Sequence, residues 1–292
     1  MTNNSSSRKT GHLVIIGGGE DRVDDKEILE RFVELSGGPS ANIVVITAAS
    51  TIPEKMWAIY DEAFKDLGVD ARAPLHIGSR AEANDPASVS ALAAADGIFI
   101  TGGDQRRLLA MIGGTAVDDA IQRALVERGA CIAGTSAGAS AMSAHMLADG
   151  TVDLLPEKGA VNLGAGLGLL QRVIIDQHFS ERHRLARLLS VVAQNPHLHG
   201  IGIDEDTALV VHLGEGIDII GQGSVTVIDG RNVVSNVADI RNRATPELLD
   251  VRLHLLPAGS SHRRDEAGST ADGGERAPFP LDYFLEIITQ KG

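Results

Sequence analysis

Leu13-Val14-Ile15-Ile16, Ile43-Val44-Val45-Ile46 and Gly97-Ile98-Phe99-Ile100 are unbroken apolar runs, each followed at once by glycine or small polar residues. Apolarity without alternation is the mark of strands buried on both faces, as in a parallel sheet covered by helices. A weaker run spans 71–77, and Cys131-Ile132-Ala133 forms another. Between the runs the spacing changes to that of helices, over about 24–35, 53–67, 86–93, 106–111 and 116–127. Short strands alternating with helices predict βαβ units and a three-layer αβα fold with a mostly parallel central sheet. Only 3% of the residues are aromatic against 43% hydrophobic, so the core must be mainly aliphatic.

The second half differs. Residues 145–170 read as glycine-rich and irregular, 172–179 as a strand ending in polar residues, and Ser180 as the cap of a helix to about Ala193. A strand at 200–203 precedes apolar segments at 208–213, 217–220 and 224–228, which read as an antiparallel meander. The segment 281–290 fits a strand or a helix. Residues 1–10 are polar and expected to be a disordered tail. Residues 11–292 form a single domain, with 258–279 expected to be a mobile loop. A net charge of -13 disfavours nucleic acid and anionic membrane as partners. No apolar run approaches the ~20 residues that span a bilayer, and the polar start does not read as a secretory signal, so a cytoplasmic protein is expected. The single Cys131 excludes an internal disulfide and any multi-cysteine metal site. No metal or cofactor is expected.

In open α/β sheets ligands bind beyond the carboxyl ends of the strands. There stands Gly134-Thr135-Ser136-Ala137-Gly138, a G-x-S-x-G between a buried strand and a helix-compatible stretch. The pattern exposes a serine on a sharp turn, with glycines where backbones close on each other. Ser136 is therefore a nucleophile or, more plainly, a helix cap. A nucleophile needs a base and an orienting acid. Of ten histidines, His178 is best placed, at the end of a buried strand, and Asp204-Glu205-Asp206 ends the next one. The resulting order of serine, histidine, acid differs from that of α/β-hydrolases, in which a late histidine such as His254 would serve. Gly17-Gly18-Gly19-Glu20-Asp21-Arg22 superficially matches a dinucleotide loop but places Arg22 where the third glycine belongs.

Four motifs, in order, resemble the cyanophycinase family of serine exopeptidases. They are Thr101-Gly102-Gly103-Asp104-Gln105, Gly134-Thr135-Ser136-Ala137-Gly138, Asp176-Gln177-His178-Phe179 with Arg182, Arg184 and Arg187, and Asp204-Glu205-Asp206. The family is related to the aspartyl dipeptidases and, in fold, to the class I glutamine amidotransferases. The resemblance spans about residues 11–235 and leaves 236–292 unmatched. It implies hydrolysis of cyanophycin, a polyaspartate carrying arginine on each side chain, to β-aspartyl-arginine. It implies Ser136 as nucleophile, His178 as base and Glu205 as acid. Gln105, Asp176, Gln177, Arg182, Arg184 and Arg187 would hold substrate, and a homodimer is expected. The backbone N–H groups of Gly103 and Ala137 would form an oxyanion hole. Arginine forks suit a chain of carboxylates, although such arginines on a helix are also common as a solvated face. Rival readings are an aspartyl or isoaspartyl dipeptidase of the same fold, and a non-catalytic or glutaminase-like subunit. A glutaminase of that fold would want cysteine at position 136.

Overall fold

A computed structural model describes residues 10–150, 154–264 and 280–290. The first half is a series of βα units: β1 (His12–Ile16), α1 (Glu27–Ser36), β2 (Ile43–Ile46), α2 (Pro53–Asp66), β3 (Arg72–Leu75), α3 (Pro86–Ala94), β4 (Gly97–Ile100), α4 (Gln105–Ile112), α5 (Ala116–Arg128), β5 (Cys131–Thr135) and the short α6 (Ala137–Ser140). The second half is richer in strand. It runs β6 (His145–Gly150), β7 (Val161–Ala165), β8 (Val173–Gln177), α7 (Leu185–Gln194), β9 (His199–Ile203), β10 (Thr207–His212), β11 (Gly216–Gly221) and β12 (Ser224–Asp229). The two-residue β13 (Val234–Ser235) and β14 (Leu248–Leu249), then β15 (Arg252–Pro257), β16 (Ser261–Arg263) and α8 (Asp282–Ile288) complete it.

The main sheet has the order β16-β11-β10-β1-β5-β4-β2-β3, parallel from β1 to β3 and antiparallel on the other side. Its apolar runs feed both faces by strict alternation. Leu13, Ile15, Val44, Ile46, Ile98 and Ile100 pack with Leu108, Ile112, Ile121 and Leu125 from α4 and α5. Val14, Ile16, Ile43, Val45 and Phe99 pack with Phe32 of α1 and Tyr60 and Phe64 of α2. That is the three-layer αβα sandwich the sequence predicts. A second sheet, β15-β12-β9-β8, shares the first core through Ile175, Ile201, Ile203, Val225 and Val227.

The expected meander is split between the sheets. β10 and β11 pair with each other, while β12 leaves to pair with β9 and β15. Asp204 ties down the start of β12 by accepting hydrogen bonds from the Ser224 N–H (3.0 Å) and hydroxyl (2.8 Å). Within 145–170, read as irregular, residues 145–150 and 161–165 form the antiparallel pair β6 and β7. The end of the chain is a helix, α8. Of the loop expected over 258–279, residues 261–263 form β16 against β11, and 265–279 lie outside the described residues.

Register brings the site together. Ile16 pairs with Thr135 across β1 and β5, so the loop after β1 emerges beside Ser136. Gln177 pairs with Ile203 across β8 and β9, so His178 and Asp204 leave the second sheet side by side. Ile16 also pairs with Ala208 at the start of β10, which folds the 204–206 turn back against the loop after β1.

Candidate active site

Ser136 sits between β5 and α6 with φ 52° and ψ -109°, a strained conformation for a residue with a side chain. Both glycines of the motif are sterically required. A Cβ on Gly134 would lie 2.6 Å from the backbone of Gly138, and one on Gly138 would lie 2.3 Å from the Ile100 carbonyl oxygen. The Ser136 hydroxyl makes no capping bond to α6. It lies 2.9 Å from Nε2 of His178, whose Nδ1 lies 2.5 Å from Oε1 of Glu205. Neither His254 nor the buried Cys131 shares in this chain of contacts. His254 is on β15 opposite Val227, and burial pushes the Cys131 thiol far above its ordinary pKa.

The three neighbouring acids have separate partners. Asp204, buried, accepts from the N–H and hydroxyl of Ser180 as well as those of Ser224. Asp206 accepts from the Asp21 N–H at 2.9 Å. Glu205 alone faces the imidazole, and its own N–H donates to Glu181 at 3.2 Å. Ser180, expected to cap a helix, is thus engaged with Asp204, and α7 begins five residues later at Leu185. Burial lowers the His178 pKa, and Arg182 and Arg184 push it the same way, against the opposing effect of the hydrogen bond and charge that Glu205 presents as acceptor. The ring is therefore neutral, as a general base must be, at neutral pH.

The Gly102–Gly103 turn lies beside the serine, with the position of a Gly102 Cβ 3.5 Å from the Ser136 Cβ. The N–H groups of Gly103 and Ala137 donate no hydrogen bond among the described residues. Gln105 directs its amide to the carbonyls of Leu147 (3.2 Å) and Ala148 (3.0 Å). Asp176 and Gln177 are buried in β8, and Arg184 and Arg187 are buried over them. Arg187 forks onto both oxygens of Asp176, with Nε 2.9 Å from Oδ2. Arg184 donates to Asp176 at 3.2 Å, to the Gln177 side chain at 3.1 Å and to the Gln177 carbonyl. Arg182 is exposed in the turn after His178. The sequence offered one clue to this pairing: Asp176 is a carboxylate inside an otherwise apolar strand, and such a group needs a counter-charge. Among the described residues no group of three or more His, Cys, Asp or Glu is placed to hold a metal ion, and no helix is long and apolar enough to cross a membrane.

An α/β sandwich that ends a central strand in such an elbow, with a histidine and a carboxylate behind the serine, defines a serine-type hydrolase. Comparison with known proteins narrows the class: residues 13–220 match the model of peptidase family S51, and the chain belongs to that family of serine-type peptidases. It is 37% identical over 262 residues to a cyanophycinase of Synechococcus elongatus, covering 89% of this chain and 81% of that one. It is 37% identical over 253 residues to a cyanophycinase of Geminocystis herdmanii, covering 86% of this chain and 93% of the relative. A crystal structure of a peptidase from an acI-B1 Actinobacterium shares the fold, with a TM-score of 0.64 at 23% identity over 88% of this chain and 98% of that one.

Proposed function

We propose that the protein is a cyanophycinase that releases β-aspartyl-arginine from cyanophycin through a Ser136–His178–Glu205 triad. The observation that carries the chemistry is the unbroken relay from the Ser136 hydroxyl through the imidazole to Glu205. Similarity to cyanophycinases over most of the chain supports the substrate.

In this reading His178 Nε2 takes the Ser136 proton as Oγ attacks the scissile carbonyl carbon. Glu205 holds Nδ1–H and balances the imidazolium. The N–H groups of Gly103 and Ala137 receive the developing oxyanion, a role supported by their lack of partners among the described residues. The imidazolium then protonates the leaving amine, and water enters by the same route in reverse to free the acyl group. Of the three arginines that follow His178, Arg182 is exposed and available to substrate carboxylates. Asp176 and Gln177, fixed by Arg184 and Arg187, supply a rigid polar floor next to the base, and Gln105 borders the site from α4.

Incubation with purified cyanophycin, with products identified by mass, tests the proposal. The dipeptide should be released, and Ser136→Ala should be folded and inactive. Turnover of free aspartyl dipeptides without attack on the polymer would replace the substrate while leaving the triad. A cytoplasmic site of action belongs to the same proposal. So does homodimeric assembly, which is supported by the exposed Leu154, Leu253 and Leu255 around one groove and is decided by sedimentation equilibrium.

A further inference from the structure

Ile16 at the end of β1 and the glycine run that follows it, a failed match to a dinucleotide loop, lie against Ser136, His178 and Glu205. The carbonyl of Ile16 accepts from the N–H of Ser136 at 3.1 Å, that of Gly17 from His178 at 2.8 Å, and that of Gly18 from Asp206 at 2.9 Å. All three donors have backbones bent into positive φ: 52° at Ser136, 48° at His178 and 45° at Asp206. Such conformations persist only where the surroundings over-determine them, and successive carbonyls of one loop contribute to that here. The loop lacks side chains for a steric reason. A Cβ on Gly18 would lie 2.3 Å from the His178 ring, and one on Gly19 would lie 3.0 Å from the Glu205 carboxylate.

The loop ends in Glu20, a carboxylate only 2% exposed. One oxygen accepts from the Tyr60 hydroxyl on α2 at 2.5 Å, and the other accepts from the hydroxyl of Thr135 at 2.6 Å. Thr135 is the residue before the nucleophile. Burial and the neighbouring Glu20 charge raise the Tyr60 pKa, so the phenol remains a donor across the working range. The hydrolytic steps use none of these three side chains.

We propose that Glu20 is a positioning residue for catalysis, pinning the Ile16–Gly19 loop to the nucleophile strand through Thr135 so that Ser136 and His178 meet at reacting distance. The inference rests on the triad reading above. Displacements of about 1 Å at a reacting pair can cost about 100-fold in rate. Glu20→Gln keeps the size of the side chain but offers an NH2 to one of the two hydroxyl donors. It should lower kcat on cyanophycin by roughly 10- to 100-fold, with KM changed less than about threefold. The rate of Ser136 labelling by a fluorophosphonate should fall in parallel. Thr135→Val should act in the same direction, and Thr135→Ser, which restores the hydroxyl, should recover most of the loss. Glu20→Gln combined with Thr135→Val should be little worse than the poorer single variant, because both break one link.

A Glu20→Gln protein with native kcat and labelling rate would overturn the proposal, whatever its melting temperature, since only a structural role would remain. Multiplicative losses in the double variant would overturn it too. Should Glu20→Gln fail to fold, the Thr135 pair decides, and a native rate in Thr135→Val is then the refuting result. Ser136→Ala is run alongside. Residual hydrolysis there would remove the triad reading and this inference together, whereas failure of the Glu20 and Thr135 results alone leaves the triad standing.

Discussion

Arg187→Ala should cost stability first and activity second. Arg187 is 6% exposed and Asp176 is 1% exposed, and the guanidinium reaches both carboxylate oxygens. Truncating it leaves a buried carboxylate with Arg184 as its remaining cationic partner, at 3.2 Å. Removing one member of a buried pair costs about 3–5 kcal/mol, most of it the penalty of the orphaned charge. Arg184→Ala removes the weaker single contact to Asp176 and the bonds to Gln177, so a loss of about 1.5–3 kcal/mol is expected. Arg182→Ala, at an exposed position, should stay within about 0.5 kcal/mol of the parent. Urea denaturation of the three variants, read by far-UV circular dichroism, gives the order Arg187 > Arg184 > Arg182 in lost stability. The kinetic order should differ: Arg182→Ala should raise KM for cyanophycin with its fold intact. The reasoning fails if Arg187→Ala keeps the parental midpoint and slope while losing substrate binding. Arg187 would then spend its charge on substrate, and Asp176 would need another partner.

Two further expectations concern pH. Because burial lowers the His178 pKa, the acid limb of kcat/KM should fall below the ordinary histidine value of 6.5. Glu205→Gln removes an interaction that raises that pKa, so it should move the limb further toward acid while lowering the plateau. A limb displaced toward alkaline pH in Glu205→Gln would contradict the assignment of Glu205 as the partner of His178. His199, 1% exposed between Tyr283 and Phe284, has its pKa lowered to about 4 by burial, with Asp229 opposing. Between the ordinary 6.5 and about 4 the unfolded chain binds the proton and the folded chain does not. Stability should therefore fall as pH drops through this window, by roughly 3 kcal/mol from this residue at about 1.4 kcal/mol per unit. Urea midpoints at pH 7 and 4.5 should show a smaller difference in His199→Phe than in the parent, and an unchanged difference would refute the assignment.

What could be read from the chain follows from which forces act locally. The parallel strands declare themselves because burial on both faces leaves no room for polar residues in Val14–Ile16 or Ile43–Ile46. The elbow is legible because Gly134 answers a clash with the backbone of Gly138, only a few residues on, although Gly138 answers one with the Ile100 carbonyl of a neighbouring strand. The β6–β7 hairpin is not, since its strands are half exposed and carry Gly, Asp and Asn, which weakens the alternation that marks a strand. The transfer of β12 to the second sheet rests on its pairing with β9 and β15 and on Asp204 holding Ser224 across 20 residues, contacts no local pattern encodes. Three arginines spaced along a segment look alike in sequence, and only the placement of Asp176 beneath two of them separates buried counter-charges from an exposed cation.

The site shows the same limit in a sharper form. Ser136, His178 and Asp206 all have a positive φ, which costs a residue with a side chain on the order of 1–3 kcal/mol. Most residues with a side chain avoid this region, so the sequence around each residue does not by itself account for the three conformations. The restraint comes from a loop whose carbonyls, those of Ile16, Gly17 and Gly18, lie 120 or more residues before the donors they reach. Its glycines look like a damaged nucleotide motif because the feature they share with such motifs, freedom from side chains, serves here to let backbone lie against an imidazole and a carboxylate. A substitution as small as Gly18→Ala therefore meets two obstacles at once, a φ of +98° and a ring 2.3 Å from the new methyl carbon, and either relief available to the chain moves His178 or the loop that holds it.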